Sequence, residues 1–269
     1  MNTIGNRLRF YLEIKKAIAV LGSVDYSVIT GGFVQDDEKA GDIDIITVLP
    51  YVALNRKKVL EFAKKHILAQ LKNSFFPDFD FPTDILSKQQ MVDAVNGRSL
   101  EVVKGNLKLK EYSKEEIINN PEADYRVWMY EMITHDFDII AGSLESLVKD
   151  TITALKTVFL YTASLYGYEG NIPIEQIRKD LFVSANLSYK LGEKQSRYLL
   201  MMLEERKLGR VKNKDVLVLN PKNISREIEK LKNLIRNGTV FKAQHAVSWG
   251  LLRKNVKTLK EHTIWKRKE

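Results

Sequence analysis

Apolar residues at Ile4, Leu8, Tyr11, Leu12, Ile14, Ala17, Ile18 and Leu21 recur at helical spacing, which predicts an amphipathic helix over 5–21 ending near Gly22. The pattern then changes. Tyr26–Thr30 is rich in β-branched residues and runs directly into Gly31-Gly32, so a short strand closing on a tight turn is expected. A polar loop over 35–41 leads to Asp42–Leu49, a second strand stopped by Pro50. Val59, Leu60, Phe62, Ala63, Ile67, Leu68 and Leu71 restore the helical period over 52–73. Phe75–Leu86 reads as extended, interrupted by Pro77 and Pro82, and Lys88–Val95 as helical.

Further along, helical signals dominate. Asn120-Pro121 can open a helix with Glu122 and Asp124 in its first turn. A long apolar pattern over 143–166 ends at Gly167 and Gly170, with Tyr161, Tyr166 and Tyr168 read as core rather than as a base-stacking group. Glu193–Lys207 is a further helix, with Gly209 placed as its C-terminal cap. Ser225, followed by Glu227 and Glu229, is expected to cap a last helix that runs to Asn237-Gly238. Between these two helices, Val211 and Val216–Leu219 flank Lys212-Asn213-Lys214-Asp215, which suggests a hairpin.

These elements predict an α/β (α+β) chain: a small mixed-sheet domain over 1–115 followed by a mainly helical domain over 116–269. Composition narrows the chemistry. The 269 residues are 44% hydrophobic, enough for a substantial core, and contain no Cys. Disulfides, Cys-ligated zinc and thiol nucleophiles are therefore excluded, and a reducing, cytoplasmic setting is expected. Charged residues interrupt Met1–Leu21, so no signal peptide is expected there, and no apolar run is long enough to span a membrane. Charge is distributed unevenly. Residues 1–150 hold 19 basic and 23 acidic side chains, whereas 151–269 hold 24 basic and 11 acidic, within a net charge of +9. The first half gathers carboxylates and the second would attract a polyanion.

Asp42-Ile43-Asp44 is the sharpest chemical feature. Side chains two apart on a strand share a face, so both carboxylates can close on divalent cations while Ile43 and Ile45 turn to the opposite, buried face. Hard carboxylate oxygens suit Mg²⁺, with Mn²⁺ as an alternative. Upstream, Gly31 and Gly32 leave room for backbone amides to approach phosphates closely. No Gly-x-Ser-x-Gly elbow or Gly-x4-Gly-Lys-Ser/Thr loop occurs, which removes the usual serine-hydrolase and phosphate-loop routes.

Ile29-Thr30-Gly31-Gly32, followed after nine residues by Asp42-Ile43-Asp44-Ile45, resembles the signature of the DNA polymerase beta-like nucleotidyltransferase superfamily over about residues 26–90. The resemblance implies transfer of a nucleoside monophosphate from an NTP to an acceptor hydroxyl, with pyrophosphate leaving. Asp42 and Asp44 would hold two metal ions and Gly31 and Gly32 the triphosphate. It also implies a third carboxylate on a later neighbouring strand. Phe79–Leu86 offers Asp84, which begins a short β-like run after Pro82 and precedes a helix, and Asp80, which has the cleaner apolar flanks. Asp84 is preferred as a metal ligand and catalytic group, and Asp80 stays open. His135-Asp136-Phe137-Asp138-Ile139 repeats the Asp-apolar-Asp pattern without a preceding Gly-Gly turn, and is read as a helix end or interdomain turn.

The acceptor is expected to be RNA, most plausibly a tRNA 3′ end. Lys190, Lys194, Arg197, Arg206, Lys207, Arg210, Lys212 and Lys214 cluster around a helix-plus-hairpin that resembles a winged helix, and residues 253–269 form a basic tail. Two alternatives stand beside this: the same chemistry on a protein or an aminoglycoside-like small molecule, and a catalytically inactive nucleic-acid-binding module.

Overall fold

The computed structural model describes residues 4–19, 21–35, 40–50, 69, 75, 78–80, 83–113, 115, 131–184 and 190–237. The helices expected over 52–73 and from Pro121, and the basic tail over 253–269, lie outside the described residues. Two compact units emerge, one holding the described residues of 1–89 and 137–146, the other those of 90–136 and 147–241.

Among the described residues, the first unit is built on a four-stranded mixed sheet with a helix packed on one face. Strands β1 (Tyr26–Thr30), β2 (Asp44–Leu49), β3 (Thr83–Ser87) and β6 (Phe137–Gly142) lie in the order β3-β2-β1-β6. β1 runs antiparallel to both β2 and β6, and β2 runs parallel to β3. Helix α1 (Ile4–Ala19) buries Phe10, Ile14, Ala17 and Ile18 against Ile29, Ile43, Ile45, Leu49 and Ile85 of one sheet face. The period-2 reading of β2 therefore holds: Ile43 and Ile45 are 0% and 1% exposed on the helix side. Asp42, Asp44, Ile46 and Val48 take the other face by the same alternation.

β6 enters this sheet from 50 residues further along the chain than β3, so the units do not divide at a single cut near residue 115. The physical reason is the edge of β1, whose unpaired amides and carbonyls β6 satisfies. Gly142 permits the close approach. Its φ is +83°, and a Cβ there would lie 2.6 Å from the Tyr26 Cα. The second Asp-apolar-Asp is split by the same crossover. Residues 131–134 are helical, His135 and Asp136 leave the helix, and Phe137 opens the strand. Asp138 pairs with Ile29 and points to the helix side, where the Tyr11 hydroxyl donates to it at 2.8 Å.

Helix α2 (Lys88–Val95) leads out of β3, and its bounds match the sequence reading. In the second unit a hairpin, β4 (Leu100–Val103) and β5 (Asn106–Leu109), precedes the long helix α3 (Leu144–Tyr166). Then follow β7 (Asn171–Pro173), α4 (Ile174–Ser184), α5 (Glu193–Glu205), β8 (Gly209–Lys212), β9 (Val216–Leu219) and α6 (Pro221–Asn237). The expected hairpin is β8-β9, and β7 joins it to give the order β7-β9-β8. Among its described residues the unit thus carries two small sheets beside its helices. Tyr161 and Tyr168 are core residues, each 7% exposed, whereas Tyr166 stacks on Tyr168 from the surface.

Both expected caps differ. The α6 cap is Asn220, whose Oδ1 accepts the Asn223 amide at 3.2 Å, with Pro221 in the first turn. Asn-Pro supplies an acceptor and a residue that needs no amide partner, which Ser225 inside the helix cannot do. α5 ends two residues earlier than expected. Lys207, at φ +55°, takes the left-handed position after it, and Gly209 begins β8.

Candidate active site

Asp44 opens β2 opposite Thr30, the last residue of β1, so the Gly31 turn leaves the sheet beside the Asp44 carboxylate. The fit is tight. Gly31 has φ +80°, and a Cβ built on it would lie 2.5 Å from Asp44 Oδ2. Any side chain would occupy the carboxylate's space in a backbone conformation that L-residues resist. Gly32 follows in the turn and is half-buried.

The turn is anchored from behind. Phe33 is 3% exposed, packed edge-on against Phe10 and Phe79 with centroid separations of 5.8 and 6.4 Å. Arg7 Nη2 donates to the Phe33 carbonyl, and the guanidinium sits 4.6 Å from the Phe33 ring centroid. The Val34 amide donates to the Gly31 carbonyl at 3.2 Å. Arg7 also interacts with the Tyr11 hydroxyl, which is held in turn by Asp138; burial and Asp138 push the Tyr11 phenol well above its ordinary range. None of this support was read from the sequence, where Arg7 registers only as a charge interrupting an apolar pattern.

β3 carries Asp84, the preferred candidate for the third carboxylate. In the parallel β2-β3 ladder Asp84 lies opposite Ile46, which shares the face of Asp44. Asp80 lies opposite Asp42: its amide donates to the Gly41 carbonyl at 3.0 Å and its carbonyl accepts from the Ile43 amide at 2.8 Å, extending the pairing back along the approach to β2. It pins the approach to β2 through its backbone. The groups acting on Asp44 are consistent with this division. Burial first, then the charges of Asp42 and of Asp84, push the Asp44 carboxyl up to about 6. Asp42 is exposed, and Asp44 and Asp84 are half-buried.

A half-buried carboxyl raised by the charges of two neighbouring carboxylates offers the donor chemistry of a divalent-cation site. Among the described residues no three acidic or His side chains are gathered closely enough to enclose an ion. The fit therefore lies in donor type and mutual repulsion, not in a preformed cage. Asp42, Asp44 and Asp84 are the residues that would hold Mg²⁺, and Gly31-Gly32 presents the adjoining backbone. Asp138 lies on the opposite sheet face and takes no part in this set. Asp136 is engaged elsewhere, its Oδ1 accepting the Lys194 amide at 3.3 Å in the first turn of α5. No helix among the described residues is long and apolar enough to cross a membrane. Compared with protein-family models and with curated proteins, the chain matches none of them.

Proposed function

We propose that this protein is a metal-dependent nucleotidyltransferase that moves a nucleoside monophosphate from an NTP to a hydroxyl of RNA. The observation that carries the reading is the half-buried Asp44 carboxylate, pushed up to about 6 by burial, Asp42 and Asp84 and packed against a turn that only glycine fits. When bound, Mg²⁺ would supply charge neutralisation for the phosphates and the developing oxyanions.

The remaining work belongs to the chain. Backbone amides of the Gly31-Gly32 turn would orient phosphate oxygens, as amide-lined turns do. Asp44, with its carboxyl near 6, is mostly ionised at pH 7 and so available as a ligand. Asp84 would accept the proton of the acceptor hydroxyl as that oxygen bonds to the α-phosphorus and the bond to pyrophosphate breaks. Arg7, Phe33 and Tyr11 hold the turn in register with Asp44 and act as positioning residues. The RNA acceptor is supported by charge: 24 basic against 11 acidic residues over 151–269 favour a polyanion.

Incubation with total RNA, total protein and each labelled NTP in parallel tests the reading. Label is expected on RNA, dependent on Mg²⁺ and absent in Asp42→Ala/Asp44→Ala, with single substitutions already costing several orders of magnitude, as loss of an electrostatic clamp worth several kcal/mol requires. RNA labelling that survives the double substitution would overturn the roles assigned. Label on protein or on a small hydroxylated compound would overturn the acceptor.

A further inference from the structure

The second unit carries a concentrated cationic surface around the turn after α5 and the β8-β9 hairpin. Between Arg206 and Lys222 there are six basic residues (Arg206, Lys207, Arg210, Lys212, Lys214, Lys222) and a single acid, Asp215. All six are exposed, and none is in an ion pair among the described residues. In β8 the alternation turns Val211 inward and Arg210 and Lys212 outward on one face, with Lys214 in the loop beyond. Asn213 and Lys214 hold φ of 54° and 62°, so a tight loop projects from the sheet. β8 is an edge strand, so its outer edge has no partner in the sheet. Lys207 and Arg210 line one open depression of about 540 Å³ together with Glu204 of α5 and with Asn220 and Pro221 at the start of α6, so two cations and one carboxylate share it. Lys207 of the turn and Arg210 of the hairpin therefore face a common space.

The helix before the hairpin is different in character. The exposed positions of α5 are Glu193, Arg197, Met201, Glu204 and Glu205, and its one cation there, Arg197, is paired with Glu193. Lys194 is only half-exposed. Glu204 turns to the hairpin, accepting the Val211 amide at 3.3 Å. A helix face with three carboxylates and one neutralised arginine repels a polyphosphate. Of the eight basic residues grouped by sequence, those on the helix thus do not share the surface formed by the turn and the hairpin.

We infer that the β8-β9 hairpin and the Arg206-Lys207 turn bind the phosphate backbone of RNA, while the outer face of α5 stays clear of it. Backbone contact positions the partner without reading its sequence. The identity of the polyanion as RNA rests on the reaction proposed above; the surface itself does not, and its test uses neither NTP nor divalent metal, so the two can fail separately.

Fluorescence anisotropy of the full chain with an RNA duplex of about 16 base pairs, titrated across salt, provides the test. Affinity for the wild type should fall steeply with salt, by about 40-fold between 50 and 200 mM if three phosphates are contacted. Arg210→Ala/Lys212→Ala/Lys214→Ala should bind at least about tenfold more weakly at 50 mM and flatten the salt slope by about 2 to 3. The charge-conserving Arg210→Lys/Lys212→Arg/Lys214→Arg should retain binding, and so should Arg197→Ala/Met201→Ala. Thermal melts of each variant report folding. If the hairpin variants and the wild type bind alike, if the α5 variant is the one that loses affinity, or if anionic vesicles or duplex DNA compete better than duplex RNA, the inference is overturned.

Discussion

At Asp44 a half-buried carboxyl faces two others, and its pKa rises from 3.8 to about 6. Between those values the folded protein holds more protons than the unfolded chain, so stability is fully present below about pH 4 and declines as pH rises through 6. In chelator, wild-type melting temperature should therefore drop between pH 4 and 7. Asp44→Asn should show a flatter profile over that window and a higher melting temperature at pH 7; equal slopes for the two proteins would contradict the electrostatic account. Asp42 and Asp44 were legible because a strand's period of two forces both onto one face while Ile43 and Ile45 take the core. The rival acids at 80 and 84 were not separable in that way. Asp80 bonds Gly41 and Ile43 through its backbone, and no side-chain pattern announces a backbone clip. Arg7 was invisible for a similar reason: its partner, the Phe33 carbonyl, is 26 residues away.

Among the elements, β1, α2 and α3 lie within a residue of where the sequence places them, and β1 is buried at all five positions, as suits its β-branched run. The α6 boundary shows where local reasoning chooses between two good signals. Ser225 has Glu227 and Glu229 behind it, yet Asn220 has Pro221, and the helix starts at the earlier pair. Asn220→Ala should lower stability by about 1 kcal/mol in chemical denaturation, and Ser225→Ala should leave it nearly unchanged. The opposite ranking would move the start of the helix. β6 lay beyond any local signal. Its place beside β1 is decided by an edge that needs pairing, and its Asp-apolar-Asp likeness to β2 dissolves once Asp138 is seen bonded to Tyr11 on the other sheet face.

For the whole molecule, the sequence correctly indicates a mixed α/β chain, and charge separates an acidic first half from a basic second half. The division into units follows the chain less simply than a cut at 115, since residues 137–146 return to the first sheet. Long-range pairing of this kind is settled by which strand edges remain open, a property of the assembled sheet rather than of any segment. The claim on which the functional account depends is that Asp42, Asp44 and Asp84 form one divalent-cation site beside the glycine turn. Paramagnetic resonance of Mn²⁺ titrated into the full chain tests it most directly. Wild-type protein should remove Mn²⁺ from the free-ion signal at a site that Mg²⁺ competes for, and Asp44→Asn and Asp84→Asn should each abolish that uptake. Uptake unchanged in both variants would contradict the account.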